Sequence, residues 1–309
     1  MSGIIVLGSI NMDLVASTNR APDGGETVAG SDFQIIPGGK GANQAVAIAR
    51  QDCDVVMIAR VGKDGFGKEL ISSLAENNIQ VERVKQDETC STGVALIIVE
   101  ESGENRIVVI PGANGQVTKM DVDESIDLFI QNDYLVMQLE TPIDTVSHAL
   151  DRAKDNNVKT ILNAAPAPSH PLDIAFMRKV DYLLVNETEA TAISGKSILG
   201  TDSAIEVAKL LQSISNGVVI LTLGNQGAIA SDGKSTWLTP AFEVDVIDTT
   251  AAGDSFTGGL VASLHEGKDL KTAIIRANAS GAMAASKFGA QPSLPTSEEV
   301  NRFLMVNHL

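Results

Sequence analysis

The chain is short of cysteine, aromatics, basic charge and long apolar runs, and each shortage removes a class of protein. Two cysteines in 309 residues, Cys53 and Cys90, cannot build a disulfide framework, and neither sits in a CxxC or Cys/His spacing that would hold zinc. Lys and Arg total 23 against 39 Asp and Glu, a net charge of −16, which disfavours nucleic-acid phosphates and anionic membranes as partners. No apolar stretch approaches the roughly 18 residues that cross a bilayer. The opening MSGIIVLGSINMD lacks the basic start and long apolar run of a secretory leader. A cytoplasmic protein with no membrane or nucleic-acid partner is therefore expected. What is present is ordinary for a globular chain: 44% hydrophobic and 20% charged residues, enough to bury a large core.

Short apolar runs alternate with helix-period segments almost from end to end. Ile4–Gly8, Asp54–Val61, Tyr134–Leu139, Thr160–Asn163, Tyr182–Val185, Val218–Leu223 and Ala228–Ser231 read as buried strands, near-continuous in apolar residues. Ala42–Arg50, Gly67–Asn77, Ile143–Asn156 and Ser203–Gln212 carry helical periodicity, and Ser203/Glu206 and Thr296/Glu299 have capping-box spacing. This alternation predicts an α/β fold with a mostly parallel central sheet and helices on both faces. Two stretches break the rhythm. Glu26–Ile36 is β-favouring, and Thr92–Val99 with Arg106–Ile110 flanks a polar turn as a hairpin would. The expectation is one domain over 1–309, with a β lid formed by segments near 13–36 and 91–111.

The segment Val244 to Gly258 holds the clearest chemistry. A β-like run ends at Asp248, small residues follow, and a helix pattern starts at Asp254. Free N–H groups at a helix start suit a transferring phosphoryl group, and Asp254 can accept a proton from an attacking hydroxyl. An isolated Gly-Asp before a helix is nevertheless more often a plain cap. Gly38-Gly39-Lys40-Gly41-Ala42-Asn43-Gln44 supplies a flexible backbone and donors, yet matches neither the Walker nor the dinucleotide spacing. Gly62 to Lys68 has the Walker spacing, but Glu69 stands where a hydroxyl is needed, so a structural turn is expected. Asn11 and Asp13, Glu140, Asn186 and Glu189, and Thr222 and Gly224 follow apolar runs, at the carboxyl ends where open α/β sheets bind ligands.

Taken together and in order, these motifs resemble the ribokinase family of sugar and nucleoside kinases over the whole chain. Asn11-Met-Asp13, the GGKGANQA string and Gly289-Ala-Gln-Pro-Ser293 occur together, as in its ribose-phosphorylating members. The resemblance implies transfer of the ATP γ-phosphate to the 5-hydroxyl of D-ribose in ribose catabolism, and a homodimer formed through the β lid. It implies that Asn11, Asp13, Gly39, Lys40, Asn43 and Glu140 bind the sugar, with Asp254 as base and Ala251, Ala252 and Gly253 in the anion hole. Asn186, Glu189, Thr222, Gly224, Gly227, Gly253 and Asn278 would face the nucleotide, with Glu189 near Mg2+ through water. Asp248, Thr250, Ala284, Lys287, Gly289 and Ser293 would hold K+, several through backbone carbonyls. Many relatives carry Gly where this chain has Ala251, a change that matters only if the position needs positive φ. Other readings stay open. They are a kinase of 2-deoxyribose, fructose or a nucleoside (the last disfavoured by only 11 aromatics), a non-catalytic sugar-binding regulator, and a glycosidase using Asp13 and Asp254.

Overall fold

A computed structural model describes residues 3–307. Its first third contains, in chain order, β1 (Ile4–Leu7), β2 (Asn11–Thr18), β3 (Gly30–Gly38), α1 (Lys40–Ala49), β4 (Val55–Gly62), α2 (Gly65–Glu76), β5 (Ile79–Asp87), β6 (Gly93–Glu100) and β7 (Asn105–Ile110). Then come α3 (Lys119–Asp123), α4 (Ile126–Gln131), β8 (Tyr134–Met137), α5 (Ile143–Asp155), β9 (Lys159–Asn163), α6 (Ile174–Met177), β10 (Tyr182–Asn186), α7 (Glu187–Ser194) and α8 (Thr201–Ser215). They are followed by β11 (Val218–Thr222), β12 (Ala228–Ser231), β13 (Thr236–Thr239), α9 (Ala252–His265), α10 (Leu270–Ala285) and α11 (Ser297–Val306).

Nine strands form the main sheet in the order β13-β12-β11-β10-β9-β8-β1-β4-β5. From β11 to β5 every pairing is parallel, while β12 and β13 add an antiparallel edge. The apolar runs are continuous because both faces are covered. In β1, Ile5 and Leu7 join one core with residues of α3 to α8, while Ile4 and Val6 join the other with residues of α1, α2, α9 and α10. All four are fully buried. Parallel pairing also brings the carboxyl ends of these strands to one edge, where ligands bind in such sheets.

A second sheet, in the order β3-β2-β6-β7, joins the two segments that broke the βα rhythm. β2 pairs β3 antiparallel and β6 parallel, and β6 pairs β7 antiparallel. Asp13, Val15, Ile36, Ile97 and Val99 line a cleft that also touches Thr249, Phe288 and Gly289. Leu14, paired with Ile35 and Leu96, lies on the other face, which exposes Phe33, Ile35, Leu96 and Val108.

The structure differs from the sequence expectation in four places. The Ser203/Glu206 box does not form: Gly200 caps α8, and Ser203 Oγ, in the third helical position, accepts the N–H groups of Leu199 and Gly200. The run before Asp248 is not a strand. Ile247 and Asp248 donate their N–H groups to the Ala285 carbonyl, and Val246 and Ile247 are exposed. β5, with charged residues interleaved along an edge, and β13 are strands that apolar continuity alone does not flag. The Thr296–Glu299 box forms as expected. The Gly62–Lys68 turn is structural: Asp64 caps α2 by accepting from Gly67 N and also accepts from Thr92 N and Thr92 Oγ1.

Candidate active site

Asn11, Asp13, Gly39, Lys40, Asn43 and Glu140 come together where the chain passes from β1 of the main sheet into β2 of the second sheet and α1 begins. Gly39 has φ 90°, and a Cβ there would stand 2.7 Å from Asn11 N, so glycine alone lets the loop nest against β2. Asn11 Oδ1 accepts from Asn114 Nδ2 at 2.7 Å, and Asn114 Oδ1 accepts from Ile10 N, which clamps the start of β2. Glu140 accepts from Ser9 Oγ and from Lys40 N, the latter at 3.0 Å. Burial, helped by the charges of Glu140 and Asp254 and opposed by Lys40, lifts the Asp13 carboxyl to about 7. Burial works against the Lys40 ammonium, but Asp254, Glu140, Glu189 and Asp13 outweigh it and raise its pKa. One cation thus serves four carboxylates.

Asp254 lies in the first turn of α9 and is 7% exposed. Asn43 Nδ2 donates to its Oδ2 at 3.1 Å and Gln44 Nε2 to its Oδ1 at 2.9 Å. Burial raises its pKa, while Lys40 and these two amides oppose the rise. Asn43 Oδ1 is buried without a protein partner, a spare acceptor for a hydroxyl. The N–H of Ala252 donates to the Thr249 carbonyl at 3.2 Å. This departs from the expectation that Ala252 contributes to the anion hole. Ala251, Gly253 and Asp254 keep N–H groups without a protein acceptor among the described residues. Ala251 caps the helix at φ 59° and ψ 9°, so this position does require the left-handed region that alanine resists.

Beyond the first turn of α9 opens a cavity of about 540 Å³, which Thr222, Gly224, Gly227, Gly253 and Asn278 all line. Phe242, Val244 and Phe256 give it an apolar wall suited to a base, and Phe242 is braced edge-on by Phe303 at 5.2 Å. Gly227, at φ 102°, lets the chain pass close to the Thr239 carbonyl. Asn278 donates to the carbonyls of Thr239 and Pro240, so its amide braces the wall as well as lining it. Asn186 and Glu189 do not line this cavity. They form a reciprocal capping box at the start of α7, and both Glu189 oxygens accept from Asn186. Burial raises the Glu189 pKa.

The residues expected to hold a monovalent cation gather where the loop before α9 meets the turn after α10. Asp248 accepts from Thr250 N and Thr250 Oγ1 through Oδ1, and from Gly289 N through Oδ2. Ser293 is fully buried and donates to the Ala290 carbonyl, while the Ala284 carbonyl accepts Lys287 N. Carboxylate, hydroxyl and carbonyl oxygens are the donor set a hard cation needs. The Lys287 ammonium instead turns to Glu299 at 3.1 Å, leaving only its backbone for such a role. Among the described residues, no group of three or more His, Cys, Asp or Glu is placed to hold a metal ion.

Sequence reasoning quoted Gln44 without giving it a part, and it missed Asn114 and Gln138, which carry no motif. Among the described residues, no helix is long and apolar enough to cross a membrane.

The chain matches the pfkB family of carbohydrate kinases over residues 1–297. It is 40% identical to a ribokinase of Haemophilus influenzae, covering 97% of this chain and 98% of the relative. A deoxyribokinase of Salmonella typhi is 34% identical, with 98% and 99% covered. The solved structure of Arabidopsis thaliana ribokinase complexed with ribose and ATP superposes with a TM-score of 0.91 at 26% identity, covering 98% of this chain and 99% of that one. The chain belongs to the pfkB family of carbohydrate kinases and is a phosphotransferase of its ribokinase group.

Proposed function

We propose that this protein transfers the γ-phosphoryl group of ATP to the 5-hydroxyl of D-ribose, as a step of ribose catabolism. Asp254 carries the reading: a buried carboxylate held by two amides, beside helix-start N–H groups that have no protein acceptor. Asn11, Asp13, Lys40, Asn43, Glu140 and the Gly39 backbone hold the sugar hydroxyls. Asp254 takes the proton of the 5-hydroxyl as its oxygen attacks the γ-phosphorus in line. The bond to the bridging oxygen breaks, ADP leaves, and the proton passes from Asp254 to solvent. The N–H groups of Ala251, Gly253 and Asp254 stabilise the negative charge that spreads over the transferring group.

The nucleotide occupies the 540 Å³ cavity, with Thr222, Gly224, Gly227 and Asn278 along its walls and Asn186 and Glu189 at the end of β10. Bound Mg2+ would neutralise charge on the ATP phosphates. Glu189, with both oxygens already accepting, suits contact through water. Bound K+ would sit among oxygens of Asp248, Thr250, Ala284, Lys287, Gly289 and Ser293 and neutralise their converging dipoles. The second sheet acts as a lid: its inner face closes over the sugar and excludes water. Its exposed outer residues Phe33, Ile35, Leu96 and Val108 pair two copies into a homodimer. Two free cysteines suit a cytoplasmic location.

The deoxyribokinase relative supports a second reading, with 2-deoxyribose as acceptor. ADP release from ATP, measured across D-ribose, 2-deoxyribose, fructose and adenosine, tests the choice. Higher kcat/KM for ribose is expected, and preference for another acceptor would overturn the substrate assignment.

A further inference from the structure

Asp254 is held by two amides that look alike in sequence but are fixed differently. Gln44 is fully buried, and its Nε2 donates both to Asp254 Oδ1 at 2.9 Å and to Asn163 Oδ1 at 3.0 Å. An ionised carboxylate only accepts, so the NH2 of Gln44 must face it. Gln44 Oε1 then points the other way and accepts Gln138 Nε2 at 2.6 Å. Gln138 is fully buried as well, 94 residues further along at the end of β8. Turning over the Gln44 amide would set its carbonyl against two acceptors, Asp254 Oδ1 and Asn163 Oδ1, while Gln138, whose own Oε1 is buried without a partner, could turn with it. Each buried mismatch costs a hydrogen bond and leaves a polar group unpaired.

Asn43 is under no such constraint. Its Nδ2 donates to Asp254 Oδ2 at 3.1 Å, while its own Oδ1 is buried with no protein partner. Its amide can turn over without breaking any other bond and then accepts a hydrogen bond from a protonated Oδ2.

We infer that Gln44 and Gln138 are positioning residues that keep Asp254 Oδ1 permanently hydrogen-bonded, so that Oδ2 alone takes the substrate's proton. The acceptors at Asp254 and Asn163 fix the Gln44 amide, Gln138 steadies its far end, and Asn43 adjusts to the proton. This rests on the reading of Asp254 as the base. The charged groups facing Asp254 are Lys40 from α1, Glu140 from the β8–α5 turn, Asp13 from β2 and Glu189 from α7. Substitutions at 44 or 138 leave all four in place.

The test compares Gln44→Met, Gln138→Met, Gln138→Glu and Asp254→Asn in the full chain. ADP release from ATP and D-ribose is followed from pH 5.5 to 9, and thermal unfolding checks that each variant is folded. Losing the Oδ1 donor raises the pH at which Asp254 ionises. Gln44→Met is therefore expected to move the acid limb of kcat upward by about one pH unit, the rough effect of one donor on a carboxylate, and Gln138→Met, which keeps that donor but frees its far end, to move it less. Sugar KM should stay within about twofold, since both glutamines are fully buried. Gln138→Glu should shift the limb further, because an ionised Glu only accepts and pulls the Gln44 NH2 away from Asp254. Gln44→Met with an unmoved acid limb, alongside an inactive Asp254→Asn, would overturn the inference while leaving the base in place. Near-normal turnover by Asp254→Asn would instead remove the base itself.

Discussion

Asp13 offers the most quantitative test, because its ionisation is tied to folding. In the unfolded chain its carboxyl has the ordinary value of 3.8, and in the folded chain burial and its acidic neighbours lift it to about 7. At about 1.36 kcal/mol per pH unit, that rise corresponds to a ceiling of about 4 kcal/mol. The folded pKa is the higher one, so the native state favours the neutral acid. Stability from this group is full below pH 3.8, falls as pH rises through about 7, and is flat above that. Asp13→Asn is neutral throughout and escapes the fall. Urea unfolding of both forms at pH 5, 6, 7 and 8 should therefore show the variant gaining on the parent with pH, by about 2–3 kcal/mol from pH 5 to 8. The difference between forms is the quantity to read, because Asp254 and Glu189 also ionise above their ordinary values and are present in both. Sugar should reveal the same group. Hydroxyls donating to the ionised Asp13 favour that form, so sugar KM should fall as pH rises through 7 in the parent and stay flat in Asp13→Asn. A constant stability offset between the two forms from pH 5 to 8 would refute the reasoning.

Other consequences follow from the same geometry. Asp254→Asn should lower kcat by roughly 10²–10⁴-fold, as expected for losing a general base, with sugar KM little changed in initial-rate measurements. Ala251→Gly should relieve about 1–2 kcal/mol of left-handed strain and lose about half of that to a freer unfolded chain. A net gain of about 1 kcal/mol in urea unfolding is expected, and a loss would show that Ala251 is not strained. Replacing K+ by Na+ at constant ionic strength should lower kcat and the thermal unfolding temperature together, and Asp248→Ala should remove both responses. Phe33→Lys combined with Val108→Lys should convert the proposed homodimer to a monomer in sedimentation velocity, because both positions are exposed and would then set like charges against each other.

Much of the architecture was legible because it rests on near-neighbour patterns. Continuous apolar runs such as Ile4–Leu7 mark strands covered on both faces, and their alternation with helical periods specifies a parallel sheet. The motifs around Lys40 and Asp254, far apart in the chain, likewise marked segments that the fold brings together. Edge strand β5 was less legible, since charged residues interrupt its apolar pattern, and Ser203 misled because a cap depends on where the turn begins.

Only the tertiary structure decided which of these groups act on one another. Alanine at 251 carries no mark of a positive φ, which follows from how the loop enters α9. Glu189 is an acidic residue in sequence and a capping partner of Asn186 in space. The orientation of the Gln44 amide depends on Asp254, 210 residues away, and on Asn163, 119 residues away. Residue type states what a side chain can donate or accept, but polarity, burial and ionisation belong to the partners that folding brings to it. Composition and pattern therefore specified the frame and the kinds of group at the site, while long-range contacts alone set the state of each.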